Sequence, residues 1–129
     1  MRLSVCKEMS FAAAHSLPGY DGPCVRLHGH EWVVQVEVSG EITPERDMVL
    51  DFVLLKGLMS KEIIEKLDHQ HLNEIFELRP TAEIMVFNIA EILERCIKMN
   101  SEFSDRKDLR LDRVRLYETP KSFCEWRRP

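Results

Sequence analysis

Apolar and polar residues alternate in two places near the start of the chain. Leu3, Val5, Met9 and Phe11 alternate with Ser4, Cys6, Glu8 and Ser10, a period of two that breaks at Lys7 and predicts a strand with one covered face. The strand runs into Ala12-Ala13-Ala14-His15, and Ser16 to Pro23, with two prolines, two glycines and an aspartate, reads as loop. Trp32, Val34, Val36 and Val38 then alternate with Glu31, Gln35, Glu37 and Ser39, a second strand that Gly40 ends and that pairs most simply antiparallel with the first. After a turn at Thr43 to Asp47 the period lengthens. Asp51 is placed to cap a helix in which Leu54, Leu55, Leu58, Met59, Ile63 and Leu67 recur, ending near Asp68 to Asn73. Arg79-Pro80-Thr81 opens another, with Ile84, Phe87, Leu93, Cys96 and Ile97 on its apolar side. Met99 to Asp108 is polar and loop-like. Leu109 to Tyr117 and Phe123 to Trp126 read as two closing strands around Thr119-Pro120-Lys121, with a shift in alternation near Asp112 that marks a bulge. Strands that cluster rather than alternate with helices predict one α+β domain over 1–129, with two helices on one face of a four-stranded antiparallel sheet.

Composition narrows the setting. The 129 residues are 44% apolar and 31% charged, an ordinary soluble balance, and no apolar run approaches the roughly 20 residues of a membrane span. The first residues lack the pattern of a secretory signal, so a cytoplasmic address is the default expectation. A net charge of -4 argues against nucleic acid as partner. The cysteines at 6, 24, 96 and 124 form no C-x-x-C pair, which suggests neither a zinc ribbon nor a disulfide framework. Cys6, Cys96 and Cys124 read as small apolar side chains.

Candidate chemistry is densest in Cys24-Val25-Arg26-Leu27-His28-Gly29-His30. His28 and His30 lie two apart at the head of an extended segment and project to one face, so both imidazoles can reach one metal. His15, at the end of the neighbouring strand, is the natural third ligand, and three histidines suit zinc with an open position. Two readings of Cys24 stand. As a fourth ligand it closes a structural centre; left free beside a dication, its thiolate becomes usable as base or nucleophile. Asp68-His69 can form a proton relay or simply cap a helix end. Glu118 can accept hydrogen bonds from an amino-substituted heterocycle or be solvated, and Glu83, in a first helical turn, fits the helix dipole. His71 makes a weaker case for such a relay.

The ordered set Phe11-Ala12-Ala13-Ala14-His15, Cys24 to His30, Asp51-Phe52, Leu67-Asp68-His69, Leu72-Asn73, Pro80-Thr81-Ala82-Glu83 and Glu118-Thr119 resembles the 6-pyruvoyltetrahydropterin synthase family over nearly the whole chain. Three residues between Cys24 and His28 look like its bacterial 6-carboxytetrahydropterin synthase branch. The resemblance implies the tunnelling fold, with subunits joining their sheets into a barrel, a dimer of trimers, and active sites between subunits. It implies zinc on His15, His28 and His30, Cys24 as thiol base and Asp68 with His69 as relay. Glu118 is then the anchor of the pterin ring, with Thr81 and Glu83 in a further substrate segment. The implied reaction converts 7,8-dihydroneopterin triphosphate to 6-carboxy-5,6,7,8-tetrahydropterin with loss of acetaldehyde and triphosphate, a step toward queuosine-type nucleosides. The alternatives are the pyruvoyl-forming reaction, an aldolase-like activity on dihydropterins, and a non-catalytic pterin- or zinc-binding domain. Ile84 stands where many relatives place asparagine.

Overall fold

In the computed structural model, which describes residues 1–103 and 105–129, a twisted sheet is covered on one face by helices. Strands β1 (Arg2–His15) and β2 (His28–Glu41) form a long antiparallel hairpin in register from Arg2 opposite Glu41 to His15 opposite His28. Helix α1 (Phe52–Met59) passes through a π-helical turn, Ser60–Ile64, into α2 (Glu65–Leu67), and the two-residue strand β3 (Gln70–His71) follows. Helix α3 (Ala82–Met99) precedes β4 (Arg110–Thr119) and β5 (Ser122–Arg127). The sheet order is β3-β1-β2-β4-β5.

The sheet therefore has five strands rather than the expected four, and β3 pairs parallel to β1 where a wholly antiparallel sheet was expected. Two residues are too few to show alternation, which is why the sequence pattern passes over them. The bulge expected near Asp112 is present: Glu37 pairs with Arg113 and Val38 with Leu111, leaving Asp112 over. The loop expected over 99–108 includes Ser104, which lies outside the described residues.

The first helical stripe explains its π turn. Leu55, Met59, Ile63 and Leu67, all buried, recur every four residues, and four outruns the 3.6 residues of an α-turn. One wider turn takes up the drift and keeps all four over the sheet. Asp51 caps the helix as expected, its Oδ1 accepting the Val53 N–H at 2.8 Å. The buried stripe of α3 is Met85, Val86, Ile89, Ala90, Leu93 and Ile97. The expected stripe was one position off at its start: Phe87 is 50% exposed and Ile84 only half-buried, because neither shares the face that 86, 89, 93 and 97 define.

The covered face of the sheet carries Phe11 and Ala13 of β1, Trp32, Val34, Val36 and Val38 of β2, and Val114 and Leu116 of β4. Each fully buried aliphatic side chain here contributes on the order of 1.5–3 kcal/mol. The Trp32 ring stacks on Phe11 and donates its Nε1–H to the Ala13 carbonyl at 3.2 Å, so the largest core side chain leaves no polar atom unpaired. At one end of the sheet Asp108 accepts from the Glu41 N–H and from Arg106. The other end carries the histidines. Among the described residues no helix is long and apolar enough to cross a membrane.

Candidate metal centre and active site

Strand pairing brings the three histidines together. His15 faces His28 across the hairpin and His30 faces Ala13, so the three side chains share the covered face with Phe11, Trp32 and Val34. Their rings lie 4.7 to 5.3 Å apart between centroids, and His15 also meets Trp32 edge-on at 5.1 Å. His15 is completely buried.

Backbone carbonyls fix two of the rings. His15 Nδ1 lies 2.8 Å from the Pro80 carbonyl oxygen and His28 Nδ1 lies 2.7 Å from that of Arg26. A carbonyl oxygen only accepts, so each Nδ1 carries a proton; in the neutral form of such a ring Nε2 holds the lone pair, the arrangement that prepares an imidazole for a metal. Burial holds the His30 pKa below the ordinary histidine value, opposed by the Glu118 carboxylate and reinforced by His15 and His28.

Glu118 completes the group. On β4 it follows Val114 and Leu116 at a spacing of two, and it is passed over where Tyr117 pairs with Phe123 and Thr119 with Ser122, a second bulge. Its Oε1 lies 3.4 Å from His15 Nε2 and 3.5 Å from His30 Nε2. The ligand atoms of His15, His28, His30 and Glu118 all lie within 4.8 Å of one another. The Nε2 atoms of His15 and His30 are buried without a hydrogen-bond partner, a costly arrangement for a polar atom unless a cation belongs there. Ligands about 2.1 Å from a tetrahedral zinc stand about 3.4 Å apart, so the spacing of the carboxylate from both rings fits such an ion.

Cys24 lies outside that group, half-buried in the 3₁₀ turn Pro23–Val25. The turn is tied to the loop entrance by the Leu17 N–H, which donates to the Cys24 carbonyl at 2.8 Å. Gly19, at φ +79°, supplies a left-handed backbone that few other residues adopt.

Asp68 and His69 meet as expected, with His69 Nδ1 2.9 Å from Asp68 Oδ2. The carboxylate is also used elsewhere: Asp68 Oδ1 accepts the Ala12 N–H at 2.9 Å, and this bond first, then His69, holds its pKa below the usual carboxylate value. His69 is 82% exposed and is the one non-glycine residue with positive φ among the described residues, at 58°. An open cavity of about 570 Å³ reaches from Ala12 past Gly29 and His30 to His69 and His71, joining the relay candidate to the histidine cluster. A second of about 570 Å³ runs from Gly29 and His30 to Tyr117 and Glu118.

Thr81 and Glu83 take local places. The Thr81 hydroxyl oxygen accepts the Ile84 N–H at 3.2 Å and caps α3, and Glu83 is exposed in the first turn; neither joins the metal-capable group. Reasoning from sequence missed the two backbone carbonyls behind His15 and His28, which have no side-chain signature. It also missed how near Glu118 lies to the histidines, a proximity that the shared parity of positions 114, 116 and 118 foreshadows.

Residues 4–129 match the family model described as 6-pyruvoyl tetrahydropterin synthase, and the chain belongs to that family. It is 34% identical to the 6-carboxy-5,6,7,8-tetrahydropterin synthase of Haemophilus influenzae, covering 95% of this chain and 96% of that one. A putative 6-carboxy-5,6,7,8-tetrahydropterin synthase of Archaeoglobus fulgidus is 41% identical over 92% of this chain and 90% of its own. A dihydroneopterin monophosphate aldolase of Pyrococcus furiosus is 33% identical over 92% and 91%. Among solved structures, the 6-pyruvoyl tetrahydropterin synthase of Caenorhabditis elegans superposes with a TM-score of 0.80 at 28% identity, covering 100% of this chain and 97% of that one. The expected α+β fold is thus the fold of the family, with the short parallel strand added.

Proposed function

We propose that the chain is a zinc-dependent 6-carboxy-5,6,7,8-tetrahydropterin synthase, acting on 7,8-dihydroneopterin triphosphate with release of acetaldehyde and triphosphate. The observation that carries this reading is the cluster of His15, His28 and His30, in which the unpartnered, buried Nε2 atoms of His15 and His30 point to a cation. The names of the Haemophilus and Archaeoglobus relatives support the product.

Zinc held by the three histidines would supply Lewis acidity toward a side-chain oxygen of the substrate. The chain's own groups do the rest. Glu118 anchors the amino-substituted edge of the pterin ring, and the segment from Thr81 to Glu83 borders the substrate. Cys24 Sγ, free of the metal, takes a proton from one side of the substrate. His69 serves the other: its Nδ1 is held by Asp68 Oδ2 at 2.9 Å, which leaves Nε2 to receive or deliver a proton. The exposure of His69 supports a site completed by a neighbouring subunit, in a dimer of trimers whose sheets close a barrel. A cytoplasmic place in the synthesis of queuosine-type 7-deazaguanine nucleosides belongs to the same reading.

Incubation of the purified protein with dihydroneopterin triphosphate tests it, with acetaldehyde and the carboxylated pterin as expected products. Triphosphate release with a pyruvoyl product would assign the sister reaction instead. The Pyrococcus relative favours a second reading, carbon-carbon cleavage of a dihydroneopterin side chain, which a free 6-hydroxymethyl product would reveal.

A further inference from the structure

The segment from Asp68 to Asn73 does a second job along the last residues of β1. Ala12 donates its N–H to Asp68 Oδ1 at 2.9 Å and accepts the His69 N–H at 2.6 Å. Ala13 and Ala14 pair with Gln70 and His71 of β3. There β3 stops, because the chain turns into the 3₁₀ helix Leu72–Glu74. Backbone pairing gives way to a side chain at the next position needed. Asn73 Oδ1 accepts the Ser16 N–H at 2.9 Å, and Asn73 Nδ2 donates to the Ser16 carbonyl at 2.9 Å. One primary amide thus takes both backbone polar groups of the residue that follows His15.

We propose that Asn73 is a positioning residue for His15 as a metal ligand. The inference rests on the reading of the three histidines as a metal site. His15 is the last residue of its strand, and strand ends fray unless tied down. A ligand set holds its metal only when each donor atom keeps its place to about half an ångström. The Pro80 carbonyl orients the His15 ring, but it acts on the ring rather than on the backbone that carries it. The Asn73 amide fixes the backbone one residue on, at Ser16. It needs a donor and an acceptor at the same reach, which an aspartate cannot offer: its second oxygen would face the Ser16 carbonyl, acceptor against acceptor.

Zinc affinity, measured by competition with a chromophoric chelator, and the visible spectrum of the cobalt-substituted protein test the proposal. Asn73→Ala and Asn73→Asp should each weaken zinc binding about 10-fold to 100-fold, the usual loss when a partner of a ligand is removed. Both should also alter the cobalt absorption bands. Asn73→Gln, which keeps both amide groups, should recover part of the loss, and it serves as the readout if the alanine variant does not fold. A variant that melts earlier yet binds zinc and cobalt as the parent does would show a merely structural amide and overturn the proposal. A parent chain that binds no zinc would overturn the reading of the site itself, and is distinguished by appearing before any substitution is made.

Discussion

Oε1 of Glu118 stands 3.4 Å from Nε2 of His15, a buried ring nitrogen with no hydrogen-bond partner. The carboxylate therefore stands beside the proposed metal and also lines the cavity that runs from His30 to Tyr117. Glu118→Gln keeps the shape and removes the charge. We expect it to weaken zinc binding about 10-fold and to raise KM for the pterin substrate, as chelator competition and steady-state kinetics would measure. Unchanged zinc affinity with a raised KM would assign the carboxylate to the substrate only.

His69 holds a left-handed backbone that costs a side-chain-bearing residue about 1–2 kcal/mol. Its side chain is exposed, so the pair with Asp68 returns little stability. His69→Gly should therefore melt higher than His69→Ala by about 1 kcal/mol of stability, while both lose turnover and keep zinc. Undiminished turnover in either variant would remove His69 from the proton relay.

Thr81 has a structural duty and a proposed substrate-binding one, and a single substitution separates them. Loss of the cap in Thr81→Ala should cost about 1 kcal/mol of stability in chemical denaturation. If Thr81 also borders the substrate, KM rises as well; an unchanged KM would leave the residue as a helix cap.

Acid sensitivity at the far end of the sheet should be independent of the metal. Hydrogen bonding from Arg106 holds the Asp108 pKa well below the usual carboxylate range, with the Glu41 N–H adding to it. A carboxylate depressed in the folded state stabilises fully above its unfolded value of about 4, and that stabilisation is lost as pH falls toward the lower folded value. Asp108→Asn should cost about 2 kcal/mol at pH 7 and flatten the acid limb of a melting curve, with zinc content unchanged. A fall in zinc content would mean that the two ends of the sheet are coupled.

The parts legible in the sequence were those with a period. Alternation in β1 and β2 placed His15, His28 and His30 on one face, and the broken alternation at Asp112 located a bulge, because a one-residue slip reverses which side chains are covered. Asp51 and Thr81 were legible as caps from residue type next to an apolar stripe. What was missed has no local period: β3 is two residues paired across the chain to Ala13 and Ala14, and the start of the α3 stripe was misplaced because Ile84 and Phe87 are as apolar as Met85 and Val86. Asn73 was visible only as part of a family pattern, since a side-chain amide closing on a distant backbone leaves no mark in neighbouring residues.

The division of labour between the histidines and Cys24 is the central claim, and the zinc content of Cys24→Ala tests it most directly. With Cys24 outside the group formed by His15, His28, His30 and Glu118, the variant should retain the parent's zinc per chain while losing acetaldehyde release. A variant purified without zinc would contradict the account and make Cys24 a ligand of a closed, structural centre.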